Sequence, residues 1–514
     1  MMTLHDPARP AAAAGRSRTT RIIAPDELPR HAQALLGGGY RIALVAGHDD
    51  GDALRAVYLF TATGERDAES RVELHVPLDP GHPHVPSLAA LSFPAGRFER
   101  EMRDLFGIVP DNHPLPQRLV RHFHWPRGWY PMLAEAGDPP AFGDLDEPYP
   151  FRTVEGPGVY EIPVGPVHAG MIEPGHFRFS VVGETILNLK ARLWFVHRGI
   201  EKLFQGRRVV EALELTERVS GDTAVGHTLA FCLAIEDALG LDVPRAAGQR
   251  RAVACELERL YNHITDLGAL CNDVAHSILN SQAQRIREQL LRLNEQVTGH
   301  RLLRGAIRPG GAVLRVLPDP SLLRTIAEDI AEVVALALEH SVVRERFAGT
   351  AILTRQQATD IGTLGYVARA SGLRIDARYD HPFLSTPIPR PEHSHTGGDV
   401  LARFCVRAEE IAHSVEVIAG LVAELDGDLG SAPPTPAVPS GGPGSSGVGI
   451  VEGWRGTITH RIELDAGGRL SRVKIVDPSF FNWPALPVAL ADTIVPDFPL
   501  VNKSFNLSYA GNDL

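Results

Sequence analysis

Three pairs of histidines have a spacing at which two imidazole rings could hold one metal ion. They are His82 and His84, His122 and His124, and His393 and His395. Residues two apart lie on the same face of a β-strand, so each pair could give zinc two of its four ligands. The sequence places no thiol or carboxylate at ligand spacing from these pairs. We therefore interpret them as surface histidines.

The four cysteines do not have the spacing of a metal or disulfide framework. Cys232, Cys255, Cys271 and Cys405 stand far apart, and none forms a Cys-x-x-Cys pair. Cys271 continues an apolar stripe of helical spacing through Leu260, Ile264 and Leu267. A thiol in such a stripe behaves as a small apolar residue, so we predict that Cys271 is buried in the core.

Nucleotide and nucleophile motifs are also missing from the sequence. The glycine-rich segment 435–449 has no Gly-Lys-Ser/Thr and no preceding strand, so it is not a phosphate loop. There is no Gly-x-Ser-x-Gly motif. The formal charge of −11 argues against nucleic acid as a partner, because phosphate binding requires a basic surface.

The elements that would position catalytic side chains fall into two groups. Residues 1–24 contain arginines and a short alanine run, without the apolar core of a signal peptide, and we predict a disordered cytoplasmic leader. Residues 25–130 are predicted to form a small α/β domain. Its helix begins at Pro25 and ends before Gly39, and strands follow at 41–46, 53–61 and 71–77, with hairpin turns at Asp50-Gly51 and Thr63-Gly64.

Residues 131–158 are rich in Pro, Gly, Asp and Glu and are predicted to be a linker to a second domain, 159–514. Strands at 159–164 and 177–182 precede predicted helices at 184–204, 208–240, 244–279, 282–304, 320–347 and 398–426. Residues 427–449 are predicted to be a flexible loop. A strand pair follows, with its turn at Asp465–Gly468. No stretch approaches eighteen consecutive apolar residues, so no membrane span is predicted.

Two stretches of the chain resemble a known family. One contains Gly165-Pro-Val-His168, Glu173-Pro-Gly-His176, His197-Arg-Gly-Ile-Glu-Lys202 and the segment from Arg218 to His227, and the other is the tail from Ser504 to Gly511. Both resemble the large subunit of group 4 membrane-bound nickel–iron hydrogenases of the formate-hydrogenlyase and hydrogenase-4 type. They also resemble the homologous quinone-site subunit of respiratory complex I.

The segment Phe98-Glu-Arg-Glu-Met-Arg-Asp-Leu-Phe-Gly107 is similar to the signature of the C-type subunit of complex I, which lies beside the Fe–S proteins. The resemblance therefore implies fused C-like and D-like domains. It implies an α+β fold, with a small N-terminal α/β domain joined to a mostly helical large-subunit domain that has peripheral β-strands. Glu101, Arg103 and Asp104 are then expected to make interdomain salt bridges, and Arg369 is expected to be a buried, paired structural arginine.

In the hydrogenases that this chain resembles, two Cys-x-x-Cys pairs bind nickel and iron. The corresponding positions here are Ser220, Thr223, Ser508 and Gly511. Thiolates are soft ligands, hydroxyls are hard and far less acidic, and glycine has no side chain. We therefore predict no metal bound by this chain and no cofactor of its own.

The quinone site that the complex I resemblance implies is only half present. The histidine loop is retained as His168 and His176, and the aspartate that couples to the quinone histidine falls on Asp273. The quinone tyrosine falls on Gly221. A His176–Asp273 pair could relay protons near neutral pH, or it could simply hold the loop against the helices. Glu173 aligns with a hydrogenase glutamate beside the metal, and it is either a proton-path acid or a cap on residues 175–177.

The resemblance leaves two functions open. The first is a subunit of a membrane-associated hydrogenase-4 or complex I-like oxidoreductase that passes electrons from a small Fe–S subunit to a quinone or unknown acceptor, coupled to ion translocation. The second is a non-redox scaffold or conformational-coupling subunit. Either implies a small Fe–S subunit and antiporter-like membrane subunits as partners, and a peripheral place on the cytoplasmic face of the inner membrane. If NADH takes part, another subunit binds it.

Overall fold

The computed structural model describes residues 18–62, 70–142, 149, 151–168, 170, 172–431 and 444–514. The chain contains many helices and many strands, and it is an α+β protein. Among the described residues, no helix is both long and apolar enough to cross a membrane.

The N-terminal domain is a four-stranded sheet covered by helices. Its strand order is β1-β4-β3-β2, with β1 parallel to β4 and the other pairs antiparallel. The predicted helix, the three strands and the turn at Asp50-Gly51 are confirmed. The elements are β1 (Arg18–Ile22), α1 (Leu28–Gly37), β2 (Tyr40–Asp49), β3 (Leu54–Ala62), β4 (Arg71–Leu78), β5 (His84–Pro86), α2 (Phe93–Phe106) and β6 (Val109–Asp111).

Strand β1 corrects the predicted leader. Residues 18–22 were predicted to be disordered, but they form an edge strand of the sheet. Arg18 also reaches the second domain, where its guanidinium donates to the Ser446 carbonyl at 2.7 Å. Burial of Arg18 against partners far along the chain explains why this stretch is ordered. Residues 1–17 and the predicted Thr63-Gly64 turn lie outside the described residues.

Helix α2 carries the signature segment, and its charged residues have different partners from those expected. Glu101 does form an interdomain bridge, to Lys474 Nζ at 2.7 Å. Asp104 does not, because its Oδ2 accepts hydrogen bonds from three successive backbone N–H groups, those of residues 119–121. Arg103 donates to the Pro116 carbonyl within its own domain. The interdomain prediction is therefore right for Glu101 and wrong for the other two.

The second domain begins with a three-stranded antiparallel sheet, where two strands were predicted. The strands are β7 (Val159–Val164), β8 (His176–Val182) and β9 (Thr185–Arg192). The helix predicted at 184–204 is wrong over its first half, because residues 185–192 form β9. A helix follows only at α3 (Ile200–Phe204).

Long helices form the body of this domain, and two of the predicted ones are broken. The helix predicted at 208–240 is α4 and α5, separated by a turn at residues 217–223, and the helix predicted at 320–347 is α8 and α9. The helices are α4 (Val209–Thr216), α5 (Ala224–Leu239), α6 (Arg245–Asp273), α7 (Ser277–Thr298), α8 (Pro320–Glu339), α9 (Ser341–Phe347), α10 (Arg355–Ile361), α11 (Gly365–Ala370), α12 (Ala377–Asp380) and α13 (Val400–Leu425), and a short ladder joins β10 (Ile307–Arg308) to β11 (Gly311–Ala312).

The C-terminal part adds a second three-stranded sheet and a group of short helices. Its strands are β12 (Ser445–Gly453), β13 (Gly456–Leu464) and β14 (Leu470–Val476), and its helices are α14 (Pro478–Asn482), α15 (Ala485–Ala489), α16 (Phe498–Phe505) and α17 (Tyr509–Asp513). The strand pair around the Asp465–Gly468 turn is confirmed. The flexible loop predicted at 427–449 is wrong at its end, where residues 445–449 begin β12; residues 432–443 lie outside the described ranges.

One hydrophobic core runs from the N-terminal sheet into the long helices. It includes Cys271, which is fully buried as predicted. Burial raises the pKa of this thiol to about 12, so it stays protonated and unreactive. The prediction for Arg369 is also confirmed, since its guanidinium contacts the Glu410 and Glu452 carboxylates at 2.7 and 2.8 Å in the core.

Candidate functional site

Three distant segments of the chain meet at one place. They are the loop before and at the start of β8 (residues 165–176), the turn between α4 and α5 (217–223), and the tail from residue 506. Glu173 in the loop accepts a hydrogen bond from the Ala510 N–H at 2.9 Å. Ser220 in the turn is 2.8 Å from Ser508 in the tail. The fold thus brings together most of the site residues that the sequence singled out.

Ser220 and Ser508 share a direct hydrogen bond between their hydroxyl groups, and both side chains are buried. Ser508 also accepts the Gly511 N–H at 2.8 Å, which caps the N-terminus of α17. Thr223 Oγ1 donates to Asp222 at 3.0 Å and accepts from the indole of Trp454 at 3.1 Å. The hydroxyl groups at these positions are therefore bound to one another and to their neighbours.

The fourth position, Gly511, lies against a buried carboxylate. A Cβ atom built on Gly511 would be 2.5 Å from Cγ of Asp477 and 2.6 Å from its Oδ2. Asp477 is fixed in this place by the Ser479 N–H at 2.7 Å and by His227 Nε2 at 3.0 Å. Glycine is present here because no larger side chain fits beside Asp477.

An ion pair between Asp222 and Arg455 lies at the centre of the site. The guanidinium of Arg455 binds both oxygens of Asp222 at 2.7 Å, and its Nε donates to the Asn506 carbonyl at 2.6 Å. Burial disfavours the charged carboxylate, but Arg455 outweighs this and holds the pKa of Asp222 at about 2. Arg455 therefore joins the turn to the tail and keeps Asp222 ionised.

A buried chain of hydrogen bonds leads away from Asp477. His227 contacts Asp477 through Nε2 and His460 through Nδ1, each at 3.0 Å, and all three side chains are buried. Burial, with the neighbouring His227 ring, holds the pKa of His460 well below its usual value. With Asp477 ionised and His460 neutral, His227 lies between an acceptor and a second imidazole, an arrangement that can pass a proton.

The histidine loop lies on the other side of the tail. Gly165 adopts a left-handed conformation, with φ 83°, and passes so close to the Gly175 carbonyl that a Cβ there would be 2.2 Å from the oxygen. His176 Nδ1 is 3.2 Å from the Gly165 carbonyl oxygen. His168 Nε2 is buried and has no hydrogen-bond partner among the described residues.

The expected His176–Asp273 pair is not formed in the part of the chain that the structure describes. Asp273 lies at the end of α6, where burial raises its pKa and Lys503 opposes the rise. No hydrogen bond or ion pair joins it to His176, whose ring contacts Gly165 and Phe151. Glu173, for its part, holds the tail and does not cap residues 175–177.

The position of the expected quinone tyrosine faces open space. Gly221 is exposed, and a Cβ built on it would have no heavy atom within 4 Å. The neighbouring Asp222 side chain keeps 39% of its surface exposed. Gly221 and Asp222 therefore form the open edge of the site, while Ser220 and Thr223 point into the interior.

Comparison with known proteins gives three family matches along the chain. Residues 22–136 match the respiratory-chain NADH dehydrogenase 30 Kd subunit, residues 198–272 match the nickel-dependent hydrogenases, and residues 273–441 match the respiratory-chain NADH dehydrogenase 49 Kd subunit. Hydrogenase-4 component G of Escherichia coli is 33% identical over 81% of this chain and 73% of its own length. Formate hydrogenlyase subunit 5 of the same organism is 31% identical over 89% of this chain and 82% of its own length.

The chain belongs to the family of group 4 hydrogenase-like large subunits. The fused C/D subunit of an NADH-quinone oxidoreductase from Phocaeicola vulgatus is 29% identical over 67% of the chain and 70% of its own length, which agrees with the C-like and D-like organisation. A chain of the membrane-bound sulfane sulfur reductase, an archaeal respiratory membrane complex, has the same fold, with a TM-score of 0.62 at 23% identity over 70% of this chain and 99% of that chain.

This group 4 hydrogenase-like large subunit does not fit a nickel–iron centre. The four positions that the resemblance assigns to metal ligands carry two serines and a threonine, which are bound to one another and to Asp222, and a glycine that lies against Asp477. Nickel in a thiolate site requires soft, deprotonated sulfur, and no cysteine lies among these positions. The side chains at these positions therefore do not suit nickel.

One other group of side chains has the composition of a metal site. His48, Asp50 and Glu463 place ligand atoms within 4.8 Å of one another. Arg55 already binds both carboxylates, and Arg461 binds Glu463 at 2.8 Å, so a cation would have to displace two guanidinium groups. We therefore interpret this cluster as an ion-pair network.

The surroundings of the histidine pairs are partly different from those expected. Carboxylates do lie near two of the pairs, because Asp111 contacts His84 at 2.7 Å and Glu409 contacts His393 at 2.8 Å. Those carboxylates are 16 or more residues away along the chain, so sequence spacing could not show them. Within the described ranges, none of the three pairs belongs to a group of three possible metal ligands.

Sequence reasoning missed three residues of the site, Asp222, Arg455 and Asp477. Asp222 carried a signal, because it is a charged residue between Ser220 and Thr223, two of the positions that the resemblance singled out. Arg455 and Asp477 lie more than 230 residues away from that turn, and only the fold brings them to it.

Proposed function

We propose that this chain is a subunit of a membrane-associated hydrogenase-4 or complex I-like oxidoreductase. It would pass electrons from a small Fe–S subunit to a quinone or a similar organic acceptor. It would do so without a nickel–iron centre of its own. The supporting observation is the Asp222–Arg455 pair at an open edge, beside the positions that the resemblance assigns to metal ligands. The relatives named above are a component of hydrogenase-4 and a subunit of formate hydrogenlyase, and the structural neighbour belongs to a respiratory membrane complex.

The chemistry of an organic acceptor suits the groups that are present. Reduction of a quinone consumes two electrons and two protons and develops negative charge on its oxygen atoms. A guanidinium close to that charge stabilises it, and hydroxyl groups can donate hydrogen bonds to it. Arg455 supplies such a guanidinium, and Gly221 leaves room beside the Asp222–Arg455 pair. The His227–His460 chain is a candidate route for protons.

The partners and location follow from the same proposal. Electrons would arrive from an Fe–S cluster in a small subunit, and antiporter-like membrane subunits would couple electron transfer to ion movement. The chain itself would sit peripherally on the cytoplasmic face of the inner membrane. NADH, if it is the donor, would be bound by another subunit.

The proposal is tested in the complex purified from membranes through a tag on this chain. Its clusters are reduced with dithionite, excess reductant is removed, and a soluble short-chain quinone is added while cluster absorbance is followed. We expect rapid re-oxidation, slowed about tenfold or more in Asp222→Asn, which weakens the hold on Arg455. Glu161→Gln on the outer surface of β7 is the matched control and should re-oxidise at the wild-type rate.

Two results would overturn the proposal. The first is one nickel per chain by elemental analysis of the same complex. The second is a complex with intact reduced clusters that quinone does not re-oxidise.

A second candidate is a non-redox coupling or scaffold subunit. The observation that favours it is the direct Ser220–Ser508 hydrogen bond, since these positions contact each other and leave no ligand between them. Under this alternative the Asp222→Asn complex assembles and loses ion transport without any change in cluster re-oxidation.

A further inference from the structure

A second cleft lies between the N-terminal domain and the sheet of β7–β9, and it shares His176 with the site where the three segments meet. Its volume is about 660 Å³, which falls within the range of small-ligand pockets. One wall is the end of α2 with residues 116–130. The other wall consists of His176, Arg178 and Arg192 on β8 and β9. Tyr149 and Phe151 also line the cleft.

The charge of this cleft is opposite to that of the whole chain. The described residues that line it include a single carboxylate, Asp104, whereas the chain as a whole carries a formal charge of −11. Asp104 already accepts three backbone N–H groups through one oxygen. The guanidinium groups that line the cleft are those of Arg103, Arg118, Arg121, Arg127, Arg178 and Arg192. Arg178 also lies 3.5 Å from the Glu161 carboxylate, outside the cleft lining.

The buried arginines of the cleft bind neutral groups. Arg121 donates to the Pro126 and Trp129 carbonyls, and Arg192 donates to the Leu119 and Arg121 carbonyls. Carbonyl oxygens orient a guanidinium but do not neutralise it. Arg121 is 4% exposed, and its Nε has no hydrogen-bond partner among the described residues. An N–H donor that is buried without a partner is costly, which points to a ligand.

The titration of His122, which lines the cleft, agrees with a positive potential there. Burial, and next the Arg192 charge, lower the pKa of His122 to about 4. Burial also lowers the pKa of Arg192 itself to about 10. The pKa of His122 thus responds to the positive charge of Arg192, whereas the pKa shift of Arg192 reflects its burial.

We propose that this cleft binds a ligand that bears phosphate groups. Guanidinium groups match the oxygens of phosphate in pairs, and clustered arginines are the usual protein device for holding it. The phosphate could come from a soluble phosphate ester or from a lipid headgroup, and both offer the same chemistry to Arg103, Arg121 and Arg178. The described lining of this cleft includes neither Asp222 nor Arg455 of the acceptor site.

The test uses the purified full-length chain at about 150 mM salt, where attraction between exposed charges is largely screened. Calorimetric titration is carried out with pyrophosphate and with adenosine diphosphate. Flotation is measured with vesicles of phosphatidylcholine, with and without an anionic phospholipid. The variant is Arg103→Gln/Arg178→Gln, which removes two charges at the accessible rim. Arg207→Gln/Arg344→Gln removes two exposed charges elsewhere and is the matched control.

We expect the double variant in the cleft to bind at least about tenfold more weakly, equivalent to ~1.4 kcal/mol, while the control binds as the wild type. Loss of pyrophosphate and diphosphate binding identifies a soluble ester, and loss of flotation with anionic vesicles identifies a lipid. The proposal is overturned if neither probe binds the wild-type chain, or if both variants weaken binding equally. It is also overturned if the cleft variant impairs only assembly with partner subunits, since the cleft would then hold an acidic protein segment.

Discussion

Two glycines on the site differ in what a single added carbon atom would meet. At Gly511 the new Cβ would lie 2.5 Å from the Asp477 carboxylate, and at Gly221 it would lie in open space. Neither glycine has a positive φ, so alanine is conformationally acceptable at both. Alanine substitutions at these two glycines therefore distinguish a steric clash with Asp477 from a general sensitivity of the site to substitution.

We predict that Gly511→Ala lowers the free energy of unfolding by about 1–3 kcal/mol, because Asp477 is held by His227 and Ser479 and cannot move away without losing hydrogen bonds. Gly221→Ala should change it by about 0.5 kcal/mol or less, as a surface substitution. Chemical unfolding of the two variants and the wild type measures both values. Equal stability of the two variants would show that Asp477 does not close the fourth position.

Helix α5 begins at the site, and a buried carboxylate from α6 holds its first turn. Glu258 accepts the Val225 N–H at 2.7 Å and the Gly226 N–H at 3.0 Å. Burial raises the pKa of Glu258 from 4.5 to about 8, although these two donors oppose the rise. Protonation of the Glu258 carboxyl therefore affects how firmly the turn that carries Ser220 and Asp222 is held.

We predict a specific pH dependence of stability from Glu258. Between pH 4.5 and about pH 8 the folded chain keeps this proton and the unfolded chain does not, so folding takes up a proton. The contribution is fully present below pH 4.5 and is lost as pH rises through about 8, at no more than about 1.4 kcal/mol per pH unit.

The measurement is the unfolding free energy of wild type and Glu258→Gln at several values from about pH 5 to about pH 8, the window in which only the unfolded carboxyl is ionised. The wild type should lose stability relative to the variant as pH rises. Glu214→Gln, on the exposed surface of α4, should run parallel to the wild type. Parallel curves for Glu258→Gln as well would mean that Glu258 is ionised in the folded chain throughout this range.

The elements that the sequence predicted correctly are those with an uninterrupted pattern. Helices α6, α7 and α13 and strands β2–β4 agree with expectation because one face of each is continuously apolar. Strand β9 was mistaken for a helix for a definite reason. A bulge opposite residues 180 and 181 shifts its register, so Ile186, Leu189 and Arg192 are the buried residues. Their spacing of three imitates a helical period.

The glycines at the start of β12 were misread for another reason. A Cβ on Gly447 would be 2.0 Å from the Ala234 carbonyl oxygen, and one on Gly449 would be 1.8 Å from that of Ala230. The strand lies directly against the backbone of α5, so these glycines permit close packing. Glycine for flexibility and glycine for close approach look the same in a sequence.

The site itself was half predictable, since its motifs named the segments but gave no sign of Arg455 or Asp477.

At the scale of the whole molecule, the two domains are joined by buried ion pairs. Lys474 on β14 lies 2.7 Å from Glu101 on α2 and 3.1 Å from Glu201 on α3, and its side chain is 3% exposed. Glu73 on β4 is likewise bound to Arg18 and to Arg461, each at 3.1 Å. The N-terminal domain is therefore fixed to the same β-sheet that supplies His460 to the interior of the site and that ends directly before Asp477.

We predict that Lys474→Met destabilises the chain by about 3–5 kcal/mol, because it leaves Glu101 buried without its cation. Burial raises the pKa of Glu101 even with Lys474 opposing it, so without the lysine this carboxyl should protonate more readily. The loss of stability should therefore be smaller at about pH 5 than at about pH 8.

Lys190→Met is the matched control. Its partner Glu161 keeps 35% of its side-chain surface exposed, and an ion pair of this kind contributes about 1 kcal/mol or less. Calorimetric unfolding at the two pH values distinguishes the cases, and a loss in Lys474→Met that is small or independent of pH would show that this bridge does not hold the domains together.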